Sequence, residues 1–234
     1  MSSNPIDFSQ IQWLSFDCYG TLIDWESGIL GYLQPLLQGK GHALVRDEIL
    51  TLYSEFEPRQ QAGEYRSYRA VLAGVVRDFA RELQFAVSDV EAAGLAESIR
   101  DWQPFPDTVA GLRRLHSRYK LAILSNIDDE LFAHSARKLE VPFDCVVTAQ
   151  QAGSYKPSLR SFETLLERLP VDRERLLHVA ESLYHDVGPA RSLGIATVWV
   201  NRRQGRAAAA SKLMDTKADF EVADIAELAK CAAP

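Results

Sequence analysis

WLSFDCYGTLIDW, residues 13–25, is the stretch whose reading decides the fold. A short apolar run ends in an acid, Asp17, and the chain turns at Gly20 three residues later. A short apolar run without alternation reads as a strand covered on both faces, as in a parallel sheet. Asp17 is then carried to the carboxyl end of that strand, where open α/β sheets place their ligands. Read alone, the acid and the glycine make only a strand-end turn.

The runs that follow give the stretch its context. QWLSF at 12–16 is joined by LAIL at 121–124, DCVV at 144–147, LLHVA at 176–180 and IATVWV at 195–200. Helix-like segments at about 107–119, 129–139, 158–169 and 186–193 lie around the later runs. Strand then helix, repeated, predicts an α/β fold: a doubly wound, Rossmann-like parallel sheet with right-handed crossovers and helices on both faces. Residues 26 to about 103 differ, with helical spacing and no strand-like run. They predict an all-helical insert that leaves after the first strand and returns at QPFPD, where Pro104 and Pro106 mark a hinge. The expected division is an α/β core of residues 1–21 and 104–234 and a helical cap of residues 22–103 that covers the crevice.

Composition narrows the classes of partner. The 234 residues hold 26 basic and 32 acidic side chains, a net charge of −6. This argues against nucleic acid, which needs a basic surface. The one dense basic patch, RRQGR at 202–206, reads as a solvated loop, with a weak anion contact as the sharper alternative; AAAA at 207–210 is the one low-complexity tract. Cys18, Cys145 and Cys231 are scattered and form no CxxC pair, which suggests reduced thiols in a cytoplasmic protein. No apolar run reaches the ~18 residues of a membrane helix. The expected partner is a small molecule, with no nucleic acid and no membrane.

Four strand ends deliver polar groups to one edge: Asp17 after the first run, Ser125 and Asn126 after the second, Lys156 after the third, Glu181 and Asp186 after the fourth. An ionised carboxylate in a partly dry pocket needs a nearby cation, which Lys156 supplies. That leaves an unprotonated nucleophile at neutral pH. Thr21, Ser125 and turn amides can donate to a substrate anion, and a second acid can deprotonate water. The set suits covalent catalysis through an aspartyl ester.

At this point the sequence resembles the haloacid dehalogenase-like hydrolase superfamily. DCYGT is similar to its first motif, LSN to the second, YKP to the third and AESLYHD to the fourth, in order along nearly the whole chain. The helical segment stands where one subfamily carries its cap. Superfamily phosphatases carry a second Asp two residues after the nucleophile; here Tyr19 stands there, and an aromatic at that place resembles the L-2-haloacid dehalogenases. The resemblance implies that Asp17 attacks the 2-carbon of a small 2-haloacid-type carboxylate, that Ser125 and Lys156 hold the substrate carboxylate or Asp17 itself, and that Asp186 activates the water that cleaves the ester. The segment RQQAGEY at 59–65 implies that Arg59 faces the leaving group. No metal or other cofactor is implied, and a homodimer is left open.

This sequence departs from that pattern. Glu181 and Leu183 stand where a Ser and an Asn are usual, and Phe162 replaces a usual active-site Tyr. AESLYHD, DCYGTLIDWE and LSNID together resemble a narrower branch that includes azetidine-2-carboxylate hydrolase, in which a ring amine leaves in place of halide; Glu181 would suit a cationic ring nitrogen. Two further alternatives are a magnesium-dependent small-molecule phosphatase built on Asp17, the Tyr19 carbonyl and Glu181 or Asp186, and a non-catalytic binding protein on the same fold. Cys18, next to Asp17, is expected on the opposite face of the strand as a small hydrophobe. Tyr19 is expected to wall the substrate, Trp25 and Trp102 to pack together at the hinge rather than line the pocket, Tyr65 and Tyr68 to pack within the insert, Asn126 to stand at the substrate while orienting its loop, and Asp24 to begin a helix.

Overall fold

The computed structural model describes residues 6–202 and 216–233. The basic patch beyond Arg202 and the alanine tract therefore lie outside the described residues. Six strands, β1 (Trp13–Phe16), β2 (Lys120–Ser125), β3 (Cys145–Thr148), β4 (Leu176–Ala180), β5 (Ala196–Val200) and β6 (Phe220–Val222), form one parallel sheet in the order β3-β2-β1-β4-β5-β6. The α/β, Rossmann-like expectation holds. The sixth strand went unread because FEV is only three residues long.

Alternation along the central strands sends side chains to two apolar layers. Leu14 and Phe16 of β1, Ile123 of β2 and Val179 of β4 join one layer. Trp13, Ala122, Leu124 and Leu176 join the other, with Phe162 and Leu165. Between β1 and β2 the chain makes α1 (Trp25–Gly39), α2 (Arg46–Gln61), α3 (Tyr68–Glu82), α4 (Asp89–Ser98) and then α5 (Thr108–His116). Next come α6 (Asp129–Leu139), the short α7 (Ala149–Ala152), α8 (Leu159–Arg168), α9 (Gly188–Ser192) and α10 (Ile225–Ala232). Among the described residues no helix is long and apolar enough to cross a membrane.

Local sequence explains where the inserted helices start. Asp24 accepts from the Ser27 amide at 3.2 Å and opens α1, as expected of a short acid before a helix. Ser88 and Glu91 form a reciprocal capping box at α4. Gly20, at φ +100°, lets the chain turn off β1; a Cβ there would meet the Trp25 indole at 3.0 Å. The outgoing and returning chains then run side by side. Ile23 bridges Pro104, the Asp24 amide donates to the Gln103 carbonyl at 2.9 Å, and the Phe105 amide to the Leu22 carbonyl at 3.0 Å.

The tryptophans do not pair with each other as expected at the hinge. Trp25 lies against Tyr53 at 5.7 Å, and Trp102 meets Tyr19 edge-on at 5.7 Å. Trp102 also lies flat on Gly28 of α1, where a Cβ would come within 2.4 Å of the ring. Gly28→Ala is expected to destabilise the fold by about 1–3 kcal/mol through overpacking. Gly31→Ala on the same helix, where a Cβ meets nothing within 4 Å, should instead stabilise by up to about 1 kcal/mol. Urea unfolding of both variants checks the pair.

Candidate active site

β1 and β4 are neighbours although β2 and β3 lie between them in sequence, so the sheet's winding reverses beside β1. Ligands bind at such a switch point, outside the carboxyl ends of the strands. Asp17 extends β1, its amide donating to the Val179 carbonyl at 3.1 Å. Around it opens a cavity of about 190 Å³ that also meets Ser125, Lys156, Asp186 and Glu181 from the strand ends and Tyr53, Glu57 and Tyr68 from the insert.

Lys156 is the hub of the site. Its buried ammonium donates to Asp17 Oδ1 at 2.9 Å, to the Leu124 carbonyl at 2.8 Å and to Asp186 Oδ1 at 2.6 Å. Three donors meet three acceptors, so of its two expected roles Lys156 fills the one of holding Asp17. Burial alone would push the Lys156 ammonium toward neutrality, but the two carboxylates outweigh it and raise its pKa. Burial pushes Asp17 up as well, against the pull of Lys156 and Thr21, and the net direction is upward. Asp186 feels the same burial, yet Lys156 and His178 outweigh it and hold its pKa down to about 2. One carboxylate is thus more basic than usual and the other firmly ionised.

Thr21 Oγ1 donates to Asp17 Oδ2 at 2.8 Å and accepts from the Glu181 amide at 2.9 Å. It is fully buried and outside the cavity lining. This corrects the expectation that Thr21 binds substrate: its single proton is spent on Asp17. Asn126 lines the cavity, but its side chain closes a ring with the Lys156 backbone, accepting from the amide at 2.7 Å and donating to the carbonyl at 3.0 Å. Its expected substrate contact gives way to bracing the loop that carries the lysine. Ser125 meets its expectation differently. Its Oγ is buried on the cavity wall with no hydrogen-bond partner among the described residues, as is Asp186 Oδ2. Buried polar atoms left unpaired cost about 1–3 kcal/mol each, and both belong to residues that line the cavity.

Tyr19 walls the cavity as expected, its hydroxyl 2.9 Å from Ser135 Oγ. Glu181 is half-buried on the same wall. Cys18 is buried in the opposite layer, its thiol pushed well up by burial and by Asp17. Arg59 does not reach the site. Its side chain is 65% exposed, pairs with Glu55 at 3.3 Å and lies over Phe56 at 5.6 Å. It stands two residues beyond Glu57 and off the face of α2 that Tyr53 and Glu57 turn to the cavity, so the expected contact with a leaving group is corrected.

Sequence reading missed Glu57. Its Oε1 accepts from the Tyr68 hydroxyl at 2.6 Å and the Tyr53 hydroxyl at 3.1 Å. Burial pushes its carboxyl up against the pull of both tyrosines. Tyr68 was expected only to pack, yet it lines the cavity, and so do Trp25, Trp102, Tyr184 and His185. The available signal was the spacing of Tyr53, Glu57 and Gln61 along one face of α2. Asp128 was missed too. From the loop after β2 it accepts from the amides of Tyr68 and Arg69 at 2.8 and 2.9 Å, satisfying the free N-terminus of α3. This tie joins the strand ends to the insert directly over the site.

The described residues offer no cluster of three or more His, Cys, Asp or Glu side chains able to hold a metal ion. The space between Asp17 and Asp186 is taken by the Lys156 ammonium.

Comparison with known proteins agrees with this geometry. The sequence model of a family described as haloacid dehalogenase-like hydrolase matches residues 11–194. The haloacetate dehalogenase H-2 of Moraxella sp. (strain B) is 28% identical over 200 residues, 82% of this chain and 87% of its own. The (S)-2-haloacid dehalogenase H-109 of Pseudomonas putida is 28% identical over 201 residues, with the same shares of 82% and 87%. The structure of L-2-haloacid dehalogenase from Xanthobacter autotrophicus with chloropropionic acid covalently bound superposes with a TM-score of 0.77 at 20% identity, over 94% of this chain and 97% of that one.

Removing Lys156 leaves two buried carboxylates face to face. Lys156→Met is expected to lower stability at neutral pH by about 3–5 kcal/mol. Adding Asp186→Asn to that variant should recover a large part of the loss, and a double-mutant cycle by urea unfolding reads the coupling.

Proposed function

The chain belongs to the haloacid dehalogenase-like hydrolases, and on that premise we propose that it displaces a leaving group from the 2-carbon of a small carboxylate, of 2-haloacid type, through an ester of Asp17. The observation that carries this reading is the double hold on the nucleophile. Lys156 takes one carboxylate oxygen and Thr21 the other, with the cavity in front. A raised Asp17 pKa makes the ionised form the stronger nucleophile. Tyr19, tied to Ser135 and Trp102, stands where phosphoryl transfer would want an acid.

In the first step an Asp17 oxygen attacks the 2-carbon; the new C–O bond forms as the bond to the leaving group breaks, and the leaving group departs with the electron pair. The free Ser125 hydroxyl donates to the substrate carboxylate. In the second step Asp186 Oδ2 takes a proton from water, whose oxygen adds to the Asp17 carboxyl carbon. The ester C–O bond on that carbon breaks, and the released alkoxide takes the proton and leaves as the 2-hydroxy acid. Asp17 keeps one oxygen from water and releases the water's second proton to solvent, which restores its carboxylate. We place the protein in the cytoplasm, a reading supported by its free thiols.

A second reading is favoured by Glu57. With Arg59 outside and a carboxylate among aromatic rings inside, the cavity suits a leaving group that departs as an amine, as in ring opening of an azetidine-2-carboxylate type of substrate. If that reading is right, Glu57→Gln slows release of amine from azetidine-2-carboxylate and leaves chloride release from L-2-chloropropionate little changed.

Two measurements test the main reading. In water carrying heavy oxygen, a single turnover of L-2-chloropropionate should label the Asp17 peptide with one oxygen. Asp17→Asn should lose turnover by about three orders of magnitude or more; retained chloride release would sink the reading. The acid limb of kcat/KM should lie above the ordinary Asp value of 3.8, because burial raises Asp17 and only the ionised form attacks. Activity therefore falls as pH drops toward that raised value, and a pH–rate profile checks it.

A further inference from the structure

Behind the two carboxylates lies a buried pair that the reaction above does not use. Ser15 on β1 and His178 on β4 are partners in register, both with zero exposure, so their side chains leave the sheet on the same face. Ser15 Oγ lies 2.8 Å from His178 Nδ1, and His178 Nε2 lies 3.0 Å from Asp186 Oδ1. Phe162 meets the imidazole edge-on at 5.2 Å and closes the remaining side.

With a neutral imidazole the protons in this chain of contacts have one consistent arrangement. Asp186 is held ionised and only accepts. Nε2 therefore carries the ring proton and donates it to Oδ1, which leaves Nδ1 to accept the Ser15 hydroxyl. Oδ1 is then saturated by two donors, Lys156 at 2.6 Å and His178 at 3.0 Å, arriving from different elements. Two bonds at one oxygen fix the carboxylate's rotation. The other oxygen, Oδ2, is the one that has no partner among the described residues and belongs to a cavity-lining residue. His178 itself is outside the cavity lining, so it acts through Asp186 and never on substrate.

We infer that His178, oriented by Ser15, is a positioning residue for ester hydrolysis: it holds Asp186 Oδ1 so that Oδ2 faces the water that attacks the Asp17 ester. The inference rests on the proposed role of Asp186. It separates the two halves of the reaction. The first displacement needs Asp17 and Lys156, and the second needs Oδ2 aimed at water.

The test uses the full chain, L-2-chloropropionate as probe, and the variants His178→Phe and His178→Gln. In His178→Phe the ester on Asp17 should accumulate, seen as a mass gain after rapid quenching. Its hydrolysis should slow about 10- to 100-fold, the range a displaced catalytic group produces. kcat and KM should fall together, leaving kcat/KM within about twofold, because only the later step is slowed. His178→Gln, whose amide can still donate to Oδ1, should recover most of the hydrolysis rate. Ester hydrolysis at the wild-type rate in His178→Phe overturns the inference, and so does equal loss of both steps in the two variants. Nitrogen-15 NMR of labelled histidine is independent of substrate: an Nε2-protonated, neutral ring whose Nε2–H signal shifts in Asp186→Asn supports the assignment, and an Nδ1-protonated ring overturns it. A wild type that forms no ester from L-2-chloropropionate defeats the dehalogenase reading instead, and the NMR result then decides the placing of His178.

Discussion

One buried ammonium organises this protein's reactive end. Lys156 is shared by Asp17 and Asp186, and none of the three is more than 8% exposed. Each charge would be expensive to bury alone, by several kcal/mol even after relaxation. Together they are tolerable only if three strand ends and one loop meet in register. β1 brings Asp17, the turn after β4 brings Asp186, β2 offers the Leu124 carbonyl, and the loop holding Lys156 is clamped by Asn126. The parallel sheet makes this meeting possible, because parallel strands all present their carboxyl ends on one side.

The same arrangement divides the labour of two chemically identical groups. Asp17 and Asp186 share a cation, but Asp186 also receives the His178 hydrogen bond and is pulled down, while Asp17 is left with burial dominant and moves up. Pairs of carboxylates whose surroundings push their pKa values apart are suited to different roles in one reaction. Here both carboxylates line the cavity, and the firmly ionised one keeps an oxygen that has no partner among the described residues.

The helical insert supplies the rest of the cavity. Asp128 ties α3 to the loop after β2, and the paired chains at Ile23 and Pro104 fix where the insert leaves and returns. The insert's contribution is aromatic and acidic: Tyr53, Tyr68 and Trp25 surround Glu57. Beyond this wall Arg59 is turned to solvent beside Glu55.

By itself the sequence determined the sheet, the all-helical segment and the reactive edge. Continuous apolar runs such as LLHVA have one reading as doubly covered strands, and polar residues at their ends must then gather on one side. Asp17 was legible for that reason, since a strand fixes its terminal residue to within one position, and Lys156 and Asp186 were legible from the YKP and AESLYHD motifs that follow β3 and β4. Tertiary structure alone decided which way helix-borne and loop-borne side chains point. Arg59 and Glu57 are two residues apart on α2, and a step of two along a helix turns a side chain roughly 200° around the axis; only packing against α3 settled that Glu57 faces in. Thr21 and Asn126 were misassigned and His178 was overlooked because a sequence does not show which partners a polar side chain takes. Thr21 bridges Asp17 to the Glu181 amide, Asn126 clasps the Lys156 backbone, and His178 bridges Ser15 to Asp186.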